Sequence, residues 1–514
     1  MRFPRISTPR SWIAPQWIAP KRWLAATLTT GFVLGHALWS SRSADAQVGA
    51  YCQLSPEEIT QKETLRKAAF TGDKNAQTQY QSILAKHADQ LKTCRSRTWP
   101  QNQALWIRLY PCDIRSGALD DVLDRIVNRG YNQVYVEVFY SGQVLLPKAS
   151  NRTPWPSVLR TPGTENTDLL AQAIQKGRDR GLKVYAWMFT LNFGYSYAQR
   201  PDRQQALARN GKGQVTLSIA SGTNLQFEIV GVTSEESFVD PYNPQAKFDY
   251  YQLVQEVVKR RPDGVLFDYV RYPRGTGTSS IATKVRDLWI YGDASQQAIY
   301  RRALNNKGLE LIRRFLARGF ITANDVQSVN KLFPGEREPL WQGRSSSTAS
   351  LSADQQLPIL QSQLWYLSVA HAVQGVLDFL ATAVLPVQKQ GIPAGAVFFP
   401  DGNRVVGQGF DSRLQAWDQF PSSMEWHPMS YATCGNTSCI VNMVQQVLTL
   451  APRGTKVMPV LAGVWGQSVS NRPPLEAQMQ AIYQVAPQVN SISHFAYSWQ
   501  EPQSDRDRKF CRLQ

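Results

Sequence analysis

Arg261-Pro-Asp-Gly-Val-Leu-Phe-Asp-Tyr-Val-Arg-Tyr-Pro273 is the stretch that decides the fold. Pro262-Asp263-Gly264 is turn chemistry. Val265 to Val270 is a short apolar run of the kind that a strand buried on both faces requires. Asp268 interrupts the run near its downstream end. Asp is poor in strands and costly to bury unpaired, so two readings stand. One is an ion pair with Arg271 or Arg274. The other is a functional carboxylate at the C-terminal mouth of a parallel β/α fold, where such folds place their chemistry.

Outward from this strand the pattern alternates. Upstream, the strands are Leu105–Tyr110, Gln133–Phe139 and Lys183–Phe189. Helices over Ala118–Arg129, Asp168–Arg180 and Pro244–Arg260 lie between them. The first two end at Gly130 and Gly181, and a Gly closing a helix just before a β-rich run is βαβ punctuation. Downstream, the strands are Gly395–Phe399, Trp426–Tyr431, Lys456–Val464 and Ile492–Trp499, with helices over Leu360–Gln390, Ile440–Leu450 and Leu475–Val485. Eight strands with helices between most of them predict an α/β fold, a closed (β/α)8 TIM barrel over residues 102–514. A doubly wound open sheet would want a Gly-rich phosphate loop after the first strand, and Pro111-Cys-Asp-Ile-Arg115 is not one.

Two connections exceed a minimal barrel: 190–242 after the third strand, and a helical insertion over 274–356 after the fourth, bounded by Gly- and Ser-rich tracts. Both leave the C-terminal mouth, where long loops build clefts and lids. Ahead of the barrel, residues 47–101 predict a helical hairpin turning at Thr71-Gly72-Asp73. Ser55-Pro-Glu-Glu58 forms a capping box at its start.

The 514 residues are 43% hydrophobic with a formal charge of +17. Basic residues 2, 5, 10, 21 and 22 precede an uncharged stretch from Trp23 to Trp39, and Ala44-Asp45-Ala46 supplies the small residues of a cut before Gln47. Residues 1–46 thus have the layout of a secretory signal peptide, placing the protein in the periplasm or outside the cell. The alternative is an uncleaved membrane anchor, for which the stretch is short. Without these residues the charge is +12, which favours anionic surroundings such as cell-wall polymers. No nucleic-acid module is visible, and a monomer is expected. All six cysteines follow the proposed cut, which suggests disulfides. Of fifteen possible pairings, Cys434–Cys439 is the safest, Cys52–Cys94 would tie the hairpin, and Cys112–Cys511 would join the two ends of the barrel domain. No cysteine has a partner at metal-binding spacing, so neither metal nor cofactor is expected.

The strand ends bring carboxylates and aromatics to one cleft: Glu137, Trp187, Asp268 with Arg271 and Tyr272, Asp401, Tyr431, Trp465, Tyr497 and Trp499. Sugar C–H faces stack on rings, and paired carboxylates work on the glycosidic bond. Asp268 is the candidate nucleophile or stabilising carboxylate, with Glu137 or Asp401 as its acid/base partner. The others are candidate substrate contacts. Each has a structural alternative: Glu137 in an ion pair, Asp401 in its Asp-Gly-Asn turn, Trp187 and Trp465 as core. His427 and His494 are expected to pack in the interior. No Gly-x-Ser-x-Gly, Walker or His-Glu-x-x-His motif is present.

Several of these pieces together resemble the bacterial family 10-like glycosyl hydrolases, which are distinct from true family 10 xylanases. The pieces are Gly130-Tyr-Asn-Gln-Val-Tyr-Val-Glu137, Pro154-Trp-Pro-Ser-Val-Leu159, Gly181-Leu-Lys-Val-Tyr-Ala-Trp187, Val239-Asp-Pro-Tyr-Asn-Pro244, Asp263 through Pro273, and His427-Pro-Met-Ser-Tyr431. The resemblance implies a TIM-barrel glycoside hydrolase over about residues 102–500, exported, with Asp268 in the family's fourth-strand acidic position and a glycan substrate such as cell-wall strands. Met429, Phe139 and Phe189 depart from the family pattern. They leave room for the alternative, a cell-wall glycan-binding barrel without catalysis.

Overall fold

The computed structural model describes residues 52–218, 236–344, 347–431 and 433–512. The predicted signal segment lies outside them. Eight parallel strands form the barrel: β1 Asn102–Ile107, β2 Gln133–Tyr140, β3 Lys183–Phe189, β4 Gly264–Asp268, β5 Ala394–Phe398, β6 Glu425–Pro428, β7 Val460–Ala462 and β8 Ser491–Phe495. Their order is β6-β5-β4-β3-β2-β1-β8-β7. Parallel bridges Trp426↔Val457 and Met429↔Val460 join the two ends. The expected (β/α)8 barrel is therefore the observed fold, and the open sheet is not.

Period-2 alternation divides the strand residues between two faces. The inner face carries large rings: Trp106 meets Tyr135 at 4.7 Å and Trp187 at 4.8 Å between centroids, both edge to face. The Trp106 indole donates to Ser493 Oγ at 3.0 Å, so even this polar interior group is satisfied. His427 packs edge to face on Tyr135, as expected of an interior histidine. The outer face meets the helices. One such layer joins Leu461 and Ile492 to Ile440, Val444, Met479 and Ile482. His494 lies in this outer layer, bonded to Tyr131 OH at 2.9 Å.

The N-terminal hairpin forms as predicted, with α1 Pro56–Phe70 and α2 Lys74–Arg97. The Ser55–Glu58 capping box is present at 3.3 Å in both directions. Gly72 takes φ +105° in the turn, a conformation that side chains rarely adopt. Disulfides join Cys52–Cys94, Cys112–Cys511 and Cys434–Cys439, the three pairs anticipated.

Residues 274–299 group with the barrel, while 300–367 form a compact unit of their own. Within that unit, helices Asn306–Arg318 and Ala323–Leu332 are capped by Asn305 and Thr322.

Candidate active site

Asp268 is the last residue of β4, on the same inner face as Leu266, and is 7% exposed. Beyond it the chain stops being a regular strand, because Tyr269 adopts φ +53°, which is strained for a bulky residue. This turn aims the Tyr269 N–H back at Asp268 Oδ1, at 2.6 Å. The Trp187 indole donates to Asp268 Oδ2 at 3.1 Å. Both carboxylate oxygens thus accept a hydrogen bond. The donors are an indole and a backbone amide. Among the described residues Asp268 makes no ion pair with Arg271 or Arg274, so the bland reading of this carboxylate fails. Arg271 instead lies over the Tyr269 ring at 4.4 Å, which stacks in turn on Phe189 at 4.3 Å.

Burial pushes the Asp268 carboxyl up to about 6, against the lowering effects of the Tyr269 amide, the Arg271 charge and the Trp187 indole. Enclosure by rings costs its charge more than two neutral donors and the Arg271 charge return. Replacing Trp187 by Phe should raise the carboxyl further. The acid limb of any pH–rate profile that needs ionised Asp268 should then move to higher pH. A profile unchanged from wild type would contradict this role.

Glu137 projects inward from β2 in register with Trp187. It is fully buried, and one of its oxygens is held by the Arg108 guanidinium in an ion pair. Its other oxygen has no hydrogen-bond partner among the described residues. Burial raises its carboxyl, Arg108 opposes this, and the charge of Asp268 raises it further, so the two carboxylates feel one another. Asp401 takes the structural alternative. It forms the turn after β5, with the Arg404 N–H on its carbonyl, and its carboxylate pairs with Arg413 at 3.0 Å.

A third carboxylate was missed by sequence reasoning. Glu236 is buried, and its Oε1 accepts the Tyr269 phenol at 2.9 Å. Burial raises its carboxyl, Arg271 lowers it, and Asp268 raises it again. It sits in the long connection after β3, where only the location of that loop at the mouth could have pointed to it.

The aromatic candidates separate into two groups. Tyr431 stands half-buried at the mouth, 5.7 Å from Phe495 between ring centroids. Burial and the charge of Asp268 keep its phenol protonated. Trp499 is also half-buried, with the Arg472 guanidinium over its ring at 5.7 Å. These two, with Trp187 and Arg271, remain candidate contacts. Three others are corrected to structural roles. Tyr272 is buried with its hydroxyl on Ala372 O at 3.3 Å. Tyr497 is buried against Ser504, with Arg508 over its ring. Trp465 packs in the outer layer and bonds Tyr131 OH at 3.2 Å. Among the described residues no group of three His, Cys, Asp or Glu side chains is arranged to hold a metal.

Residues 76–297 match the family model described as glycosyl hydrolase-like 10. No curated protein matches the chain. Among solved structures, the PgaB (BpsB) glycoside hydrolase domain from Bordetella bronchiseptica is similar at 13% identity and TM-score 0.44, covering 79% of this chain and 98% of that one. A GH20 exo β-N-acetylglucosaminidase from Vibrio harveyi is similar at 9% identity and TM-score 0.39, with 81% of this chain and 53% of that one covered. A GH18 chitinase from Pseudoalteromonas aurantia is similar at 9% identity and TM-score 0.35, with 80% and 98% covered.

Proposed function

We propose that the protein is a glycoside hydrolase acting on a polysaccharide, with Asp268 as the anionic member of a carboxylate pair at the barrel mouth. The observation that carries this reading is the environment of Asp268. A buried carboxylate ends a barrel strand, is held by two donors without an ion pair among the described residues, and lies in electrostatic reach of two further buried carboxylates, Glu137 and Glu236. Hydrolysis of a glycosidic bond needs two such groups in different protonation states, one to donate a proton and one to act as nucleophile or base. The half-buried rings of Tyr431 and Trp499 supply apolar faces for sugar. The match to the glycosyl hydrolase-like 10 model supports the same reading.

The finer reading is an exported enzyme acting on cell-wall glycan strands. Three disulfides suit an oxidising compartment, and the basic charge suits an anionic polymer. The test is reducing-end release from purified peptidoglycan and from soluble glycans, with binding measured alongside. Wild type should release ends and Asp268→Asn should bind without release. Equal binding with no release from either would turn the reading to a glycan-binding barrel, and binding lost at moderate salt would reduce it to charge alone.

A further inference from the structure

We propose that Glu236 is the proton donor to the glycosidic oxygen, the partner of Asp268 in the reaction proposed above; the assignment rests on that reading. Glu236 lies far from Asp268 in sequence, but the backbone ties the two together. The segment after β3 bonds β4 on one side, with the Thr190 N–H on Asp268 O at 2.7 Å and the Leu191 N–H on Tyr269 O at 3.2 Å. It also bonds the residues that follow Glu236. The Val239 N–H reaches Leu191 O at 3.1 Å, the Phe193 N–H reaches Ser237 O at 2.7 Å, and Asn192 Oδ1 accepts the Ser237 N–H at 3.0 Å. Three segments are thus laid side by side at the mouth. Tyr269 closes the group: its amide holds Asp268 and its phenol holds Glu236. One strained residue therefore sets the position of both carboxylates, and the stacking of Arg271 and Phe189 on its ring keeps it there.

The two carboxylates are bonded differently, and the difference assigns the roles. Asp268 accepts on both oxygens, and both bonds favour its anion. Glu236 accepts on Oε1 only, and its buried Oε2 has no hydrogen-bond partner among the described residues. A proton there is favoured by burial and by the charge of Asp268. The other candidates are committed elsewhere, Glu137 to Arg108 and Asp401 to Arg413. In the reaction, Glu236 gives its proton to the glycosidic oxygen as the C–O bond breaks, and that sugar leaves as an alcohol. Asp268 takes the anomeric carbon as an ester. Water then attacks the same carbon, its proton passes to the Glu236 carboxylate, and Asp268 is released. One bond is hydrolysed per water and both carboxyl groups return to their starting state.

The experiment uses the full chain and two readouts. In ¹³C-glutamate-labelled protein, the Glu236 carboxyl should titrate above the usual range near 4.3, and should fall toward it in Asp268→Asn. Glu236→Gln should lower release of reducing ends from peptidoglycan strands about a thousandfold, with binding to the same strands unchanged. Its residual activity should lack the alkaline limb of the wild-type pH profile, and Glu137→Gln should keep that limb. A Glu236 signal that titrates in the usual range, or that ignores Asp268→Asn, overturns the assignment. So does an alkaline limb that survives Glu236→Gln or disappears in Glu137→Gln. An active wild type with an active Glu236→Gln sinks the assignment alone. An inactive wild type on every glycan sinks the hydrolase reading beneath it.

Discussion

Asp268→Asn should reduce glycan cleavage by about a thousandfold or more while removing the part of the pH dependence of stability that Asp268 contributes between about 4 and 7. The two effects have one cause. In the folded protein the Asp268 carboxyl is raised from 3.8 to about 6, chiefly by burial. The native state therefore binds a proton that the unfolded chain releases. Stability from this group is fully present below the unfolded value and is lost as pH rises through about 6. The wild type at neutral pH bears a penalty on the order of 3 kcal/mol for keeping the charge inside. An amide keeps the volume and carries no charge, so the contribution of this group to the pH slope disappears. It also cannot accept on both sides. One of the Trp187 and Tyr269 donors then loses its acceptor, at about 1–3 kcal/mol, so melting temperatures near pH 7 should differ by only a few degrees. Stability curves at pH 4, 5, 6 and 7 for both proteins, beside a reducing-end assay, check this. A variant that unfolds readily yet retains activity would make Asp268 a structural residue.

How much of this was legible beforehand follows the range of each interaction. The barrel was readable because its signals are local: helices closed by Gly130 and Gly181, then runs that alternate or stay apolar. Asp268 stood out for the same reason, a lone carboxylate in a strand that could not tolerate one without cause. Sequence reading placed Tyr272, Trp465 and Tyr497 in the cleft by carrying strand alternation past the strand ends. In the structure β4 ends at Asp268, β7 at Ala462 and β8 at Phe495. Beyond those points the chain turns, and period 2 no longer tells which way a side chain faces. Asp401 fell to a partner, Arg413, that no short-range pattern linked to it. Glu236 went unseen because its place in the site depends on hydrogen bonds from residues 190–194, which connect segments that have no sequence relation to each other. Of the cysteine pairs, Cys434–Cys439 was legible from spacing, while Cys112–Cys511 joins chain ends that meet only once the barrel has closed.

Asp124→Ala should destabilise the protein by about 3–5 kcal/mol. Asp124 lies on the helix Ala118–Asn128 and joins the barrel to the N-terminal hairpin. Its Oδ1 accepts Arg180 Nε at 2.9 Å, and its Oδ2 accepts the Tyr80 hydroxyl at 2.8 Å and Arg66 Nη1 at 3.2 Å. Arg180 donates further to Tyr80 OH at 2.6 Å and to Asp120 at 2.9 Å. Asp124 and Arg180 are 1% and 2% exposed. Truncation to Ala leaves Arg180 with Asp120 alone and Arg66 with Asp121 alone, and it removes the acceptor that the two guanidiniums share. A third cation sits beside them. Lys62 is buried, its ammonium pulled down to about 8 by desolvation, with Asp124 the chief charge opposing that shift. For such a base the unfolded chain holds its proton more tightly, so stability rises as pH goes from about 8 to the unfolded value of 10.5. Removing Asp124 lowers the folded value again and extends that window downward. The variant should therefore recover part of its lost stability between pH 7 and 9, where the wild type gains less. Denaturant unfolding at those two pH values measures both the loss and its recovery. A loss below about 1 kcal/mol, or one that does not change with pH, would mean that the hairpin is held by its disulfide and apolar contacts, and that the charge network only decorates the seam.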